Sequence, residues 1–176
     1  MQRDRERLRE HFAHAGQSQP LLAWLHPSAL CTRLHRIAHY LHRRGWGRLA
    51  RFFWHLGYVL TGADLPPRSD IGGGLLIPSP AAVSVYGHAG RDLTLMPLSG
   101  IGGEIGRERD VGAGPGLPSL GDCVWIGVHA GVLGPASIGD GCRLEAGCIV
   151  TIDLEPGSVV QARPVRVQRA VTDASP

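Results

Sequence analysis

From Leu120 to Val150 the chain reads LGDCVWIGVHAGVLGPASIGDGCRLEAGCIV, with an aliphatic residue at every sixth position: Leu120, Ile126, Val132, Ile138, Leu144 and Val150. The same beat runs earlier in the chain through Leu65, Ile71, Ile77, Val83, Ala89, Leu95 and Ile101. Four positions after most of these stands a small or thiol residue, as at Ser69, Ala81, Gly87, Ser99, Ala130, Ala136, Cys142 and Cys148. A strand alternates with period two and a helix with period 3.6, so neither keeps an aliphatic residue at period six over a dozen units. The pattern predicts a parallel β-helix of hexapeptide repeats. The aliphatic residue points into a narrow prism, the small residue packs beside it, and Gly and Asp take the corners, as in IGDGCR. The beat breaks at residues 102–119, which read as an inserted loop; the step from Ile101 to Leu120 is one residue longer than three hexads, so the beat resumes with its phase shifted by one. The units from 83 to 100 fit loosely, and a second register starting at Leu93 and Ser99 stays open there.

At 176 residues the chain is long enough for one domain with a helical appendage. The expected division is a helical region at 1–62, the repeats at 63–167 and a flexible tail at 168–176. The 25 Gly and 13 Pro fall mostly at repeat corners and in the loop, so they do not signal disorder. Four Cys form no CxxC pair, which argues against a zinc or thioredoxin-type site, and Cys142 and Cys148 are expected to be buried and inert. The first residues, MQRDRERLRE, are charged rather than apolar, so no signal peptide is expected and a cytoplasmic location fits.

Residues 1–15 alternate charges and predict a solvated, frayed helix. Pro27 opens a second helix with Leu30, Leu34, Ile37 and Leu41 at helical spacing. A third runs from about Arg48 to Leu60 with Leu49, Phe53, Leu56 and Leu60 on one face, and stops at Thr61-Gly62. The opposite face of this hairpin carries Arg33, Arg36, His39, Arg43, Arg44, Arg48 and Arg51. Three readings stay open: a solvated face, peripheral contact with an anionic membrane helped by Trp46, Phe52, Phe53 and Trp54, or nucleic-acid binding, which ranks last. The apolar run LARFFWHLGYVL is too short to span a bilayer.

A helical hairpin followed by a hexapeptide β-helix with a Gly-rich interruption resembles the serine acetyltransferase family, over roughly residues 29–167. LTGADLPPRSDIGGGLLIPSP resembles the family's entry segment, GIGG at 100–103 its stretch before the loop, DCVWIGVHAGVLGPASIGDGCRLEAGCIV its later coils, and ARPVRV at 162–167 its terminal segment. The resemblance implies a left-handed β-helix, a homotrimer and acetyl-CoA as acyl donor lying between neighbouring prisms, without a metal. It places the acyl-CoA groove at Gly102, Gly103, Ala130, Gly131, Ala146 and Gly147, with Arg166 near the nucleotide end.

The family's chemistry needs a base for the acceptor hydroxyl and donors for the oxyanion. At the position of the family's Asp-His pair this chain has Pro78-Ser79, and at the position of its Arg-His pair it has Gly116-Leu117. A Ser hydroxyl cannot act as a base near neutral pH. His88, in VYGHAG, is the candidate replacement; His129, in IGVHAG, is the weaker one because it would crowd the pantetheine arm. The loop residues Glu104, Arg107, Glu108, Arg109 and Asp110 are read as a charged, solvated loop, with ordering over a substrate as the alternative. Two functions from different classes follow: an O-acyltransferase acting on an unidentified small-molecule hydroxyl, or a catalytically inactive homologue serving as an assembly or regulatory partner.

Overall fold

The computed structural model describes residues 1–14 and 26–162. Three helices come first: α1 (Gln2–His14), α2 (Pro27–Arg43) and α3 (Gly47–Thr61). Twelve short strands, numbered in chain order, then wind into three parallel sheets that form the faces of a prism. One face holds β1 (Asp70–Ile71), β3 (His88–Ala89), β6 (Ser119–Leu120) and β9 (Ser137–Ile138). A second holds β2 (Ser84–Val85), β5 (Gly100–Gly102), β8 (Gly131–Leu133) and β11 (Ile149–Val150). The third holds β4 (Thr94–Leu95), β7 (Trp125–Ile126), β10 (Arg143–Leu144) and β12 (Val159–Val160). This is a left-handed parallel β-helix preceded by a helical region.

The period-six residues fill the prism. Ile71, Ala89, Leu120 and Ile138 stack on one face, Ile101, Val132 and Val150 on the next, and Leu95, Ile126 and Leu144 on the third, all buried. Removing each Leu or Ile from water contributes about 1.5–3 kcal/mol. A column of glycines, Gly72, Gly90, Gly121 and Gly139, stacks along one edge; a Cβ there would strike the next coil, at 2.5 Å from the Gly90 backbone in the first case.

One coil departs from the expected beat. Val85, not Val83, is the strand residue paired with Ile101, and Val83 occupies the buried corner position two residues earlier. Ile77 and Val85 are thus eight residues apart and Val85 and Ala89 only four, so the phase slips and recovers. The Pro78–Ala82 segment supplies the two extra residues, and Ala81 is exposed rather than inward. Gly87, at φ 138°, closes the shortened corner. Beyond it the first register holds at Leu95 and Ile101, which settles the ambiguity around Leu93 and Ser99.

The helices differ more from expectation. Helix α1 is docked, not frayed in solvent. Its Asp4 is buried and accepts hydrogen bonds from the backbone N–H groups of Gly74 and Leu75, at 2.7 and 2.9 Å, and from Arg36. Burial alone would raise the Asp4 pKa, but the hydrogen bond and charge of Arg36 and the Leu75 N–H outweigh it and hold the carboxyl below its ordinary value. Arg7 donates to the carbonyls of Gly74 and Leu93. Alternating charge at the N-terminus therefore matches open backbone groups at the first coil. Arg36 is not part of a solvated basic face: it also donates to the carbonyls of Ile71 and Gly72.

Helix α3 splits the expected apolar face: Phe53 and Leu56 are half-buried, but its two ends turn outward. Its buried residues are Ala50 and Gly57, while Leu49 and Leu60 are 41% and 54% exposed. The small residues let α3 approach α2 closely, with a Cβ at Gly57 falling 3.4 Å from the Leu34 Cβ. On α2 the inward face includes Cys31, His35 and Ala38 beside Leu34 and Leu41. Among the described residues no helix is long and apolar enough to cross a membrane.

Candidate active site

His88 lies on β3 with its side chain outward, 41% exposed. In the strand register Asp70 lies on one side of it and Ser119 on the other, with Ser137 beyond. Its Nδ1 is 3.7 Å from Asp70 Oδ2, within ion-pair reach and too long for a hydrogen bond. The other oxygen of Asp70 faces His39 Nε2 at 3.8 Å, and His39 Nδ1 lies 3.1 Å from the Pro67 carbonyl. One carboxylate is thus shared by two imidazoles on an exposed rung. Asp70 and His88 are one coil apart, so their period could have revealed the pair in the sequence. His39 comes from α2 and carries no such signal, and the inserted loop hides Ser119.

An open cleft of about 790 Å³ begins at the corner just before His88. Its walls include Arg51 and Trp54 of α3, Arg68, Tyr86, Gly87 and Leu117 of the inserted loop. Asp64 braces two of these walls, accepting from Trp54 Nε1 at 2.8 Å and from the Tyr86 hydroxyl at 2.7 Å. Burial, together with the Asp64 carboxylate, pushes the Tyr86 phenol up to about 12, so it stays protonated as a donor.

His129 sits elsewhere. It is exposed at a corner leading into β8, in the left-handed conformation with φ 55°. The expected groove residues separate into two sets. The methyl of Ala130 is buried inside the prism, and a Cβ at Gly131 would meet the Gly100 carbonyl at 2.8 Å. Gly102 has only Leu133 near its open side, at 3.9 Å; Gly103 faces Leu117; Ala146 and Gly147 are exposed at a corner. Arg166 lies outside the described residues.

Ser79 is half-buried in the lengthened corner, beside the Pro78 carbonyl that accepts from Ser28 Oγ at 2.6 Å. The loop charges are used locally: Arg107 pairs with Glu104, Arg109 with Asp153, and Asp110 caps the N–H groups of Gly112 and Gly114. All four thiols are unpaired; Cys31, Cys142 and Cys148 are buried and Cys123 is exposed. Among the described residues no three His, Cys, Asp or Glu side chains cluster as metal ligands.

Residues 118–151 match the family described as bacterial transferase hexapeptide (six repeats). A serine acetyltransferase of Helicobacter pylori is 34% identical over 140 residues, which span 76% of this chain and 77% of that one. The chain belongs to the serine acetyltransferase family. Another member, from Mycobacterium tuberculosis, is 34% identical over 137 residues, but the match spans only 57% of its length. The solved serine acetyltransferase of Neisseria gonorrhoeae superposes with a TM-score of 0.79 at 26% identity, covering 94% of this chain and 64% of that one. Family membership accounts for the prism and for the helices ahead of it. Ser79 and Leu117, where the resemblance implies a histidine, carry no imidazole, so the exposed imidazole on β3, His88, becomes the group to explain.

Proposed function

We infer that the protein transfers an acetyl group from acetyl-CoA to the hydroxyl of a small molecule, with His88 as general base. The observation that carries this reading is an outward imidazole set against a carboxylate, one residue after the Gly87 wall of a cleft, in a chain of this family. The outer face of the sheet β2–β5–β8–β11 fits an extended acyl-CoA arm. Its rung runs Ser84–Gly100–Gly131–Ile149, with nothing larger than a serine before the exposed Ile149 at its end, and Gly102 is open beside it. The backbone at Gly102, Gly103, Ala130 and Gly131, with Ala146 and Gly147 at the corner, would hold the arm by close approach; Arg166 is assigned to the nucleotide end by family likeness. Acetyl-CoA supplies an activated acetyl group as a thioester.

With Nδ1–H turned to Asp70, His88 Nε2 carries the free lone pair. It takes the proton of the acceptor hydroxyl as that oxygen bonds to the acetyl carbon, and returns the proton to the departing sulfur. Asp70, 3.7 Å from the ring, faces the positive charge that the ring takes on during transfer. A homotrimer completes the groove with a neighbouring prism, and four unpaired thiols fit a cytoplasmic setting. The outward stripe of Leu49, Phe52, Val59 and Leu60, on helices free of acidic residues, fits peripheral contact with an anionic bilayer.

Calorimetry with CoA in the presence of chelator is expected to show binding, and light scattering at micromolar concentration is expected to give three times the 18.8 kDa chain mass. A monomer that binds no CoA would remove the groove assignment. Serine itself is expected to be a poor acceptor, because Pro78-Ser79 and Gly116-Leu117 replace the family's pairs. Losing a positioned base costs about 10²–10⁴ in rate. In a thiol-release assay with serine and acetyl-CoA, turnover on the order of 10 per second, ordinary for an enzyme, would show that those positions are not needed. The second reading, a non-catalytic assembly partner, is favoured by the same substitutions. It predicts CoA-independent association with an active homologue and no thiol release with any acceptor.

A further inference from the structure

Three arginines, Arg48, Arg51 and Arg68, line the cleft ahead of His88. All three are exposed, and among the described residues none of them makes a side-chain hydrogen bond or an ion pair. This sets them apart from Arg3, Arg36, Arg91, Arg107, Arg109 and Arg143, each of which holds a carboxylate. Like charges gathered around one space repel unless an anion enters it. The nearest carboxylates are already engaged: both oxygens of Asp64 accept from Trp54 and Tyr86, and Asp70 is shared by His39 and His88. Helix α3 begins at the same cleft with Gly47, and its N-cap residue Trp46 gives no side-chain hydrogen bond to the first turn. The open N–H groups of that turn add donors and partial positive charge. The indole of Trp54 offers an apolar wall beside these donors.

We propose that the cleft binds a small phosphate-bearing compound through Arg48, Arg51 and Arg68, and that this compound is the acceptor. Anion binding stands on the cleft alone; the acceptor role rests on the acetyl-transfer reading. The geometry suits it, since Gly87 lines the cleft and His88 follows it on the exposed rung. The anionic end would sit among the arginines and a hydroxyl of the same molecule would reach the imidazole. A planar guanidinium pairs with carboxylate or phosphate oxygens two at a time, which lysine cannot reproduce.

The test is calorimetry at low ionic strength with inorganic phosphate and with glycerol 3-phosphate, on the full chain. Arg51→Gln and Arg68→Gln are each expected to weaken both ligands about tenfold, the loss of one charge-assisted hydrogen bond. Arg51→Lys should recover part of that loss. Arg143→Gln, on the far sheet, should change nothing, and matching thermal midpoints show that the variants are folded. CoA affinity measured in the same variants separates the sources of phosphate: unchanged CoA binding supports the acceptor site, and a parallel tenfold loss overturns it in favour of the donor's own phosphates. Phosphatidylglycerol vesicles bound through the same arginines, without competition from glycerol 3-phosphate, would overturn it in favour of a lipid surface. Phosphate binding that is absent, or equal in all variants, ends the proposal. None of these readouts needs turnover, so a catalytically silent protein that still binds phosphate through the arginines would fail the acetyl-transfer reading and keep the anion site.

Discussion

Replacing His88 by alanine is expected to lower the rate of acetyl transfer by 10²-fold or more while leaving the affinity for CoA unchanged. The size follows from removing a positioned general base, which costs about 10²–10⁴. The selectivity follows from place: His88 stands on the β1–β3–β6–β9 face, while the expected CoA groove follows the β2–β5–β8–β11 face. Asp70→Asn keeps the size of the side chain and removes its charge. It should reduce kcat by a smaller factor, as a positioning residue does, with KM for acetyl-CoA unmoved. His129→Ala is the internal comparison, because that imidazole projects from a different edge of the prism. The measurement is thiol release with an acceptor drawn from the phosphate-bearing compounds that bind the cleft. Equal and small effects from His88→Ala and His129→Ala would leave the chain without a base and favour the non-catalytic reading.

Acidification from pH 6.5 to pH 4 is expected to destabilise the fold by roughly 3 kcal/mol through one residue, His35. Its side chain is buried between α2 and the start of the prism, where Nδ1 lies 3.2 Å from the Leu65 carbonyl and Nε2 has no partner. Burial lowers its pKa to about 4; the Leu65 carbonyl opposes this weakly and the charge of Arg36 adds to it. An unfolded imidazole titrates near 6.5. Above that value both states are neutral and the contribution to stability is complete. As pH falls through the window the unfolded chain takes up a proton that the folded chain refuses, at about 1.4 kcal/mol per pH unit. Below about 4 the folded histidine also protonates and the loss levels off. The check is the urea midpoint between pH 7 and pH 4 for the native chain and for His35→Gln. The variant starts less stable at pH 7 and its midpoint should fall less steeply; parallel slopes would show that His35 protonates without penalty. Asp4 acts in the same direction at lower pH: its lowered pKa gives stability that is present above the ordinary carboxylate value and lost as pH drops beneath it.

The aliphatic beat alone determined the prism. Every coil must place one apolar side chain per face into the same narrow interior, and that demand is local and repeated, so it is written at period six from Leu65 to Val150. Even the slip at Val83 and Val85 has a local cause in the Pro78–Ala82 segment. The family resemblance, and the absence of its histidines at Ser79 and Leu117, were also legible in the sequence. The tertiary structure alone decided how the helices sit. An amphipathic pattern tells which residues are apolar, not whether a pair such as Ala50 and Gly57 will win the interface by allowing closer approach, and so Leu49 and Leu60 face outward. The same holds for charge: Asp4 and Arg36 look like surface residues until the first coil's open amides and carbonyls are placed against them. The candidate site depends on both levels. The strand register carries Asp70 beside His88 by repetition, whereas His39 reaches Asp70, and the three arginines reach the cleft, only because α2, α3 and the segment before β1 fold over that edge of the prism.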